Sequence, residues 1–309
     1  MIQQDGVLVL HKPAGMTSHD CVAQVRRLFH TKKAGHTGTL DPEVTGVLPV
    51  CLGQATRIVE YLQELPKAYE VVMRLGYSTT TEDASGELLQ QKQVDTEITE
   101  EQVKAAMQQF LGEIEQIPPM YSAVKVNGQR LYDLAREGKV IERQPRTVTI
   151  YRLALHSIET HEGVVDVSFA CECSKGTYMR TLCVDLGEKL GYPAHMLRLV
   201  RVKSGPFSLD QAIPLHKLQE LAGQEEQLAE LLVPLGDALS FLPRCDIAPE
   251  RKKAVQSGLE TALPDTQLPE GSLVRLYCEQ ELLGLHRVHY GQRGPFGKAE
   301  KIFQPNSKA

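Results

Sequence analysis

Apolar and polar positions repeat with two different periods along this chain, and the changes of period mark its elements. Val7 to Leu10 is a short apolar run closed by the Lys12-Pro13-Ala14-Gly15 turn, which predicts a buried strand. Thr17 or Ser18 then supplies a cap for a helix carrying Val22, Val25, Leu28 and Phe29 on one face. A second apolar run, Val47 to Leu52, predicts another buried strand, followed by a helix from about Thr56 to Leu65. At Lys67 the period becomes two. Tyr69, Val71 and Met73 fall on one side of a strand and Glu70, Val72 and Arg74 on the other, an imperfect alternation that implies partial burial of both faces.

Thr99-Glu100-Glu101-Gln102 is a capping box, with Val103, Ala106, Met107, Phe110 and Leu111 at helical spacing behind it and Gly112 as the expected stop. Ile117-Pro118-Pro119-Met120-Tyr121 cannot continue that helix. The basic segment from there to Arg146 carries Asn127-Gly128 as a turn and a short helix around Leu131 to Glu137, and reads as an excursion from a sheet. Val148 to Ile158 and Val164 to Cys173 alternate and should pair as antiparallel strands. Lys175-Gly176-Thr177 leads into a helix with Met179, Leu182, Cys183, Leu186 and Leu190 inward and Gly191 at its end, which puts Arg180 in the first turn. Val202 to Leu209 reads as a strand, Leu215 to Leu232 as an amphipathic helix, and Leu242-Pro243-Arg244 as a linker.

From about Cys245 the pattern shifts to a short helix near Pro249 to Ser257 and strands at Leu273 to Cys278, Leu282 to Val288 and Lys298 to Phe303, a small β-rich module. Mixed elements with antiparallel pairings indicate an α+β fold, and there is no internal repeat.

Composition narrows the class. The 309 residues suffice for two domains, and 42% hydrophobic with 24% charged residues is the balance of a soluble globular protein. No apolar run approaches the roughly 18 residues of a membrane helix. The opening Met1-Ile2-Gln3-Gln4-Asp5-Gly6 lacks the basic and apolar regions of a signal peptide, so a cytoplasmic location is expected. Seven cysteines, with no Cys-x-x-Cys among them, read as buried free thiols rather than metal ligands. The histidines show no zinc-binding spacing either.

Net charge is −5, but its distribution matters more. Arg26, Arg27, Lys32 and Lys33 cluster early, a second basic stretch runs from Lys125 to Arg152, and a third holds Lys175, Arg180, Lys189, Arg198, Arg201 and Lys203. The acids concentrate in Glu82 to Glu101 and Glu220 to Glu230.

Candidate chemistry gathers around Gly35 to Val50, where three glycines and two prolines shape a loop with Asp41 at a sharp corner. Asp before Pro is also an ordinary turn opener, so Asp41 alone decides nothing. Two further polar residues occupy constrained positions: Tyr69 at the opening of a strand and Arg180 at a helix start. A single carboxylate does not fit the two-carboxylate scheme of glycosidases; it could be a covalent nucleophile or a structural cap. An Arg beside it would hold it ionised and aimed. Pattern alone does not bring the three residues together.

A resemblance does. Lys12-Pro13-x-Gly15-x-Thr17-Ser18, Ala34-Gly35-His36-Thr37-Gly38-Thr39-Leu40-Asp41-Pro42 and Ser174-Lys175-Gly176-Thr177-Tyr178-Met179-Arg180-Thr181 resemble, in order and spacing, the bacterial TruB family of tRNA pseudouridine synthases. Lys67-Ala68-Tyr69, Ile117-Pro118-Pro119-Met120-Tyr121-Ser122-Ala123 and Asp185-Leu186-Gly187 add to it, so that the likeness covers roughly residues 5 to 240. Beyond Cys245 the tail looks like a PUA-type RNA-binding module, by position and by its short strands.

The resemblance implies a pseudouridine synthase fold: a mixed, largely antiparallel central sheet flanked by helices, with a small β-rich PUA-like C-terminal domain. It implies a catalytic domain over 1–243, with an insertion at about 117–146 that clamps the tRNA arm, and an RNA-binding domain over 244–309. The implied reaction isomerises uridine 55 in the TΨC loop of tRNA to pseudouridine by base flipping, glycosidic cleavage and religation through carbon, with no cofactor and no metal. Asp41 matches the catalytic aspartate, Tyr69 the tyrosine that stacks on the base, and Arg180 the arginine that pairs with the aspartate. His36 matches a histidine on the displaced loop, Tyr178 and Leu199 line the uridine pocket, and Lys12 is a substrate-binding candidate that reads more as scaffold.

One departure stands out: Leu199-Val200-Arg201-Val202 replaces the common Leu-Arg-Arg-Thr, which puts that wall of the pocket in question. The expected partner is tRNA, bound by a monomer with no membrane and no protein partner. The rival readings are a tRNA-binding or folding factor without catalysis, and a guide-RNA-dependent pseudouridine synthase.

Overall fold

The computed structural model describes residues 5–122, 125, 126, 129–131, 134, 141–263 and 266–304. The chain forms two compact units, one from Met1–Pro42, Leu48–Gln63 and Asp210–Ala309, the other from Glu43–Val47 and Glu64–Leu209.

In the first unit the strand Gly6–Lys12 pairs in parallel with Ile213–Pro214 and antiparallel with Leu232–Val233. Residues 50–52 at the end of the strand Thr45–Leu52 pair antiparallel with Ala34–His36. The helix Ser18–Leu28 starts at a full capping box: the Asp20 N–H donates to Thr17 Oγ1 at 3.1 Å and the Thr17 N–H to Asp20 Oδ2 at 3.0 Å. Its apolar stripe buries Cys21, Val22, Val25 and Phe29 against Leu8, Leu10, Leu48, Val50 and Leu52. Each such side chain contributes about 1.5–3 kcal/mol by leaving water.

The same unit holds a five-stranded sheet in the order Arg244–Asp246, Leu273–Cys278, Glu281–Gly291, Gly294–Ile302, Thr261–Ala262. Only its first pair is parallel. Its last long strand is fastened to residues 54–61: Lys301 pairs with Glu60 at 2.8 Å, Tyr61 donates to Glu300 at 3.0 Å, and Arg57 donates to the Ile302 carbonyl.

The second unit is built on a sheet in the order Gly112–Gln116, Arg146–His161, Val164–Cys173, Lys67–Leu75, Ala194–Ser204, every pair antiparallel. Thr45 and Gly46 then pair in parallel with Val200 and Arg201. The helices Glu100–Gln108 and Met179–Leu190 pack on one another and on this sheet. The expected alternation at Tyr69, Val71 and Met73 holds, with all three buried. The α+β class and the largely antiparallel sheet are as the sequence implies.

Several boundaries differ. The strand expected from Val202 begins at Ala194, because it carries Arg198, Arg201 and Lys203 and one of these charges is buried rather than solvated. The helix expected over Leu215 to Leu232 is two, Leu215–Glu220 and Glu225–Glu230, broken at Gly223, whose φ of +84° leaves the helical region. The capped helix ends at Gln108, and Gly112 opens an unforeseen strand instead of closing the helix. The helix expected from Thr56 starts as a 3-10 segment, Gly53–Ile58, before Val59–Glu64. The Asn127-Gly128 turn and most of the short helix at 131–137 lie outside the described residues. All seven cysteines are free thiols, six of them buried. No helix among the described residues is long and apolar enough to cross a membrane.

Candidate active site

The Asp41 corner is held from both sides by the first unit. After the strand Ala34–His36, the Thr37 N–H donates to the Pro49 carbonyl at 3.1 Å, and His36 Nδ1 accepts the Gly38 N–H at 3.3 Å. Leu40 is buried, and Ser18 Oγ accepts its N–H at 2.9 Å while donating to its carbonyl at 3.2 Å. The Pro42 carbonyl accepts Lys12 Nζ at 2.8 Å and the Gly15 N–H at 3.0 Å. Asp41, half-buried, therefore sits between two anchored residues. Lys12 has no exposed surface, and its ammonium also reaches the Pro13 carbonyl at 2.8 Å. It is built into the corner.

Tyr69 and Leu199 belong to the second unit and lie on adjacent strands, with Leu199 opposite Val71 and Arg201 opposite Tyr69. Both Tyr69 and Leu199 are buried. Burial pushes the Tyr69 phenol up to about 12, against the pull of the Arg201 guanidinium that hydrogen-bonds it. Arg201 is 1% exposed and donates Nε to the Val47 carbonyl at 2.7 Å. On its other side Gly46 has φ +113°, and an added Cβ there would lie 2.2 Å from the Arg201 carbonyl oxygen. Glycine is required on both counts. Lys67, which opens the Tyr69 strand, is buried; burial and the neighbouring Arg201 draw its ammonium down to about 8.

Arg180 is buried in the first turn of the helix Met179–Leu190, as the sequence predicts. It donates Nη1 to the Thr81 carbonyl at 3.0 Å and Nη2 to the Tyr121 carbonyl at 2.8 Å. The Glu82 carboxylate is within electrostatic reach of it and accepts Thr181 Oγ1 at 3.0 Å. Glu82 has φ +63°, a conformation that costs about 1–3 kcal/mol outside glycine and persists only where its surroundings impose it. Tyr178, just before the helix, is fixed by the buried amide of Gln116, which accepts the Tyr178 N–H at 3.0 Å and donates to its carbonyl at 3.3 Å. Lys12, His36 and Asp41 thus belong to one unit, and Tyr69, Tyr178, Arg180 and Leu199 to the other.

Residues 26–179 match the family described as TruB family pseudouridylate synthase (N terminal domain), and residues 180–240 the tRNA pseudouridylate synthase B C-terminal domain. The chain is 46% identical to the tRNA pseudouridine synthase B of Bacillus subtilis (strain 168) over 98% of its length and 99% of that protein. The chain belongs to the TruB family.

The tRNA pseudouridine synthase B of Bacillus pumilus (strain SAFR-032) is 52% identical to this TruB chain, over 84% of each. Among solved structures, a Cbf5-Nop10-Gar1 complex superposes with a TM-score of 0.74 at 31% identity, covering 99% of this chain and 87% of that one. An H/ACA RNP bound to a substrate RNA containing 2'-deoxyuridine gives the same TM-score at 29% identity and the same coverage. The pseudouridine synthase fold is therefore that of this TruB chain.

Sequence reasoning overlooked three residues of the site. Arg201 stands in the sequence only as part of a basic stretch and of the segment Leu199-Val200-Arg201-Val202, with no role of its own, although a charge flanked by Val200 and Val202 hints at burial. Gln116 and Glu82 carried no such signal, since their roles depend on which backbone groups the fold brings beside them.

Proposed function

We propose that this chain isomerises uridine 55 in the TΨC loop of tRNA to pseudouridine. The observation that carries the reading is the Asp41 corner: one carboxylate between two backbone anchors, in a chain whose relatives are named tRNA pseudouridine synthase B. A catalytic group has to be held within about 0.5 Å of its productive position, and the contacts of Ser18, Lys12 and Gly15 supply that rigidity.

In this reading the uridine flips out of its loop at a cost of about a few kcal/mol, and stacking on Tyr69 returns roughly 1–3 kcal/mol. Asp41 serves the reaction, in which the bond from N1 to the ribose C1' breaks, the base turns, and C5 bonds to C1' while its proton leaves and N1 gains one. Arg180 pairs with Asp41, Tyr178 and Leu199 line the uridine pocket, and His36 contacts the displaced loop. Lys12 acts through the corner it holds. The segment at about 117–146 clamps the tRNA arm. The division into a catalytic domain over 1–243 and an RNA-binding domain over 244–309 belongs to the same proposal, with the five-stranded sheet of the latter as the RNA-binding module.

The test is tritium release from C5-labelled uridine in tRNA, without guide RNA or other protein, comparing the natural chain with Asp41→Asn. Release by the natural chain, lowered in the variant by at least about three orders of magnitude, is expected. Retained activity in the variant would remove Asp41 from the reaction. Tight tRNA binding with no pseudouridine would favour a folding factor, and dependence on added guide RNA would favour the guide-dependent class.

A further inference from the structure

The strand Ala194–Ser204 carries Leu199 and Arg201, two positions apart and so on the same face. Arg201 lies opposite Tyr69 on one neighbouring strand and opposite Gly46 on the other. Its side chain is among the largest fully buried ones in the protein. Nε is committed to the Val47 carbonyl, and the guanidinium reaches the Tyr69 hydroxyl. Guanidinium groups carry five N–H donors and no acceptor. The Tyr69 oxygen is therefore the acceptor in this contact, and its own hydrogen must point away from Arg201.

We propose that Arg201 is a positioning residue for Tyr69: it takes up one lone pair of the phenol oxygen, turns the Tyr69 O–H away from the guanidinium, and is itself held in place by its second bond to the Val47 backbone. The proposal rests on Tyr69 as a residue of the uridine site and adds what sets the orientation of its hydroxyl. Gly46 belongs to the same device, since any side chain there would push back the backbone from which Arg201 projects. A lysine could not replace Arg201 fully, because one ammonium cannot reproduce the fixed fork that serves Val47 and Tyr69 together. The departure from the common Leu-Arg-Arg-Thr pattern leaves this arginine in place and alters both its neighbours, Val200 and Val202.

The experiment uses the full chain with tyrosine isotopically labelled at Cζ, whose resonance reports hydrogen bonding at the phenol oxygen, with the Tyr69 signal assigned by its loss in Tyr69→Phe. Arg201→Gln should shift that signal, and Arg201→Lys should shift it less. In single-turnover assays Arg201→Gln should lower the rate of pseudouridine formation about tenfold with tRNA affinity within about twofold. In the Tyr69→Phe background the same change should cost less than about twofold. An unmoved Tyr69 signal in Arg201→Gln, or an equal loss in both backgrounds, would overturn the proposal. Should Arg201→Gln fail to fold, Arg201→Lys carries the same comparison. If the natural chain forms no pseudouridine the proposed function fails, whereas the Tyr69 signal still decides what Arg201 does.

Discussion

Ser18 Oγ both accepts the Leu40 N–H, at 2.9 Å, and donates to the Leu40 carbonyl, at 3.2 Å, so one hydroxyl fixes the peptide groups just before Asp41. The pair is buried and 22 residues apart in the chain, which makes it a tertiary clamp rather than a local turn. Ser18→Ala would leave a buried donor and a buried acceptor of Leu40 unsatisfied. It should cost about 1–3 kcal/mol in urea unfolding, and single-turnover pseudouridine formation should fall with little change in tRNA affinity. Wild-type stability and rate together would show the clamp to be dispensable.

On the other side of Asp41, Lys12 Nζ bridges the Pro13 and Pro42 carbonyls at 2.8 Å each. Lys12→Met keeps most of the side-chain volume and removes the donors, and charge-assisted bonds of this kind contribute about 1.5–3 kcal/mol. A loss of that size in unfolding free energy is expected, with activity falling in parallel. Lys12→Arg should fail to restore either, because the larger guanidinium enters a site with no exposed surface. Full rescue by arginine would mean that charge rather than fit matters there.

The elements that carry the candidate residues are largely legible in the sequence, and the reasons are particular. Period-two alternation placed Tyr69 on a strand and the spacing of inward residues placed Arg180 at a helix start, while their candidacy for one site came from the family resemblance alone. The sequence left the first helix's cap between Thr17 and Ser18, and the structure gives it to Thr17, whereas Thr99 announced its helix because a capping box is local chemistry. Arg201 did not: charge normally marks a solvent face, and only the strands on both sides of it turn Val200-Arg201-Val202 into a buried segment. The same cause moved the predicted strand start from Ala194 to Val202. Gly223 interrupts a helical pattern that is otherwise intact on either side, and neither period nor composition separates a tolerated glycine from a break.

Binding to tRNA should be strongly salt-dependent. The chain is net negative, yet its basic residues gather in runs at 26–33, 125–152 and 175–203. Phosphate contacts from such runs release counterions, giving a linear fall of log affinity with log salt at about 0.7–0.9 per contact. Filter binding across a salt series should show a slope equivalent to several contacts. A flat response would mean that the basic runs do not touch the RNA backbone.

Acid should destabilise the C-terminal sheet through His286. This residue has no exposed surface, lies between Val274 and Ala299 in the strand Glu281–Gly291, and neither ring nitrogen has a hydrogen-bond partner among the described residues. Burial draws its imidazole down to about 4 from the ordinary 6.5. Between these values the unfolded chain binds a proton that the folded chain refuses, so stability rises with pH across that window and falls on acidification. The full effect is about 3 kcal/mol at the acid end and vanishes above the ordinary histidine value. Asp246 and Glu300, held below the usual carboxylate range by Arg244 and Arg287, lose their stabilising contribution at still lower pH. That loss is shared by any His286 variant and cancels in the comparison. His286→Leu, close in volume and without a titrating group, should therefore melt at a temperature that depends less on pH within the window. Equal slopes for the two proteins would show that the buried ring takes up its proton as readily folded as unfolded.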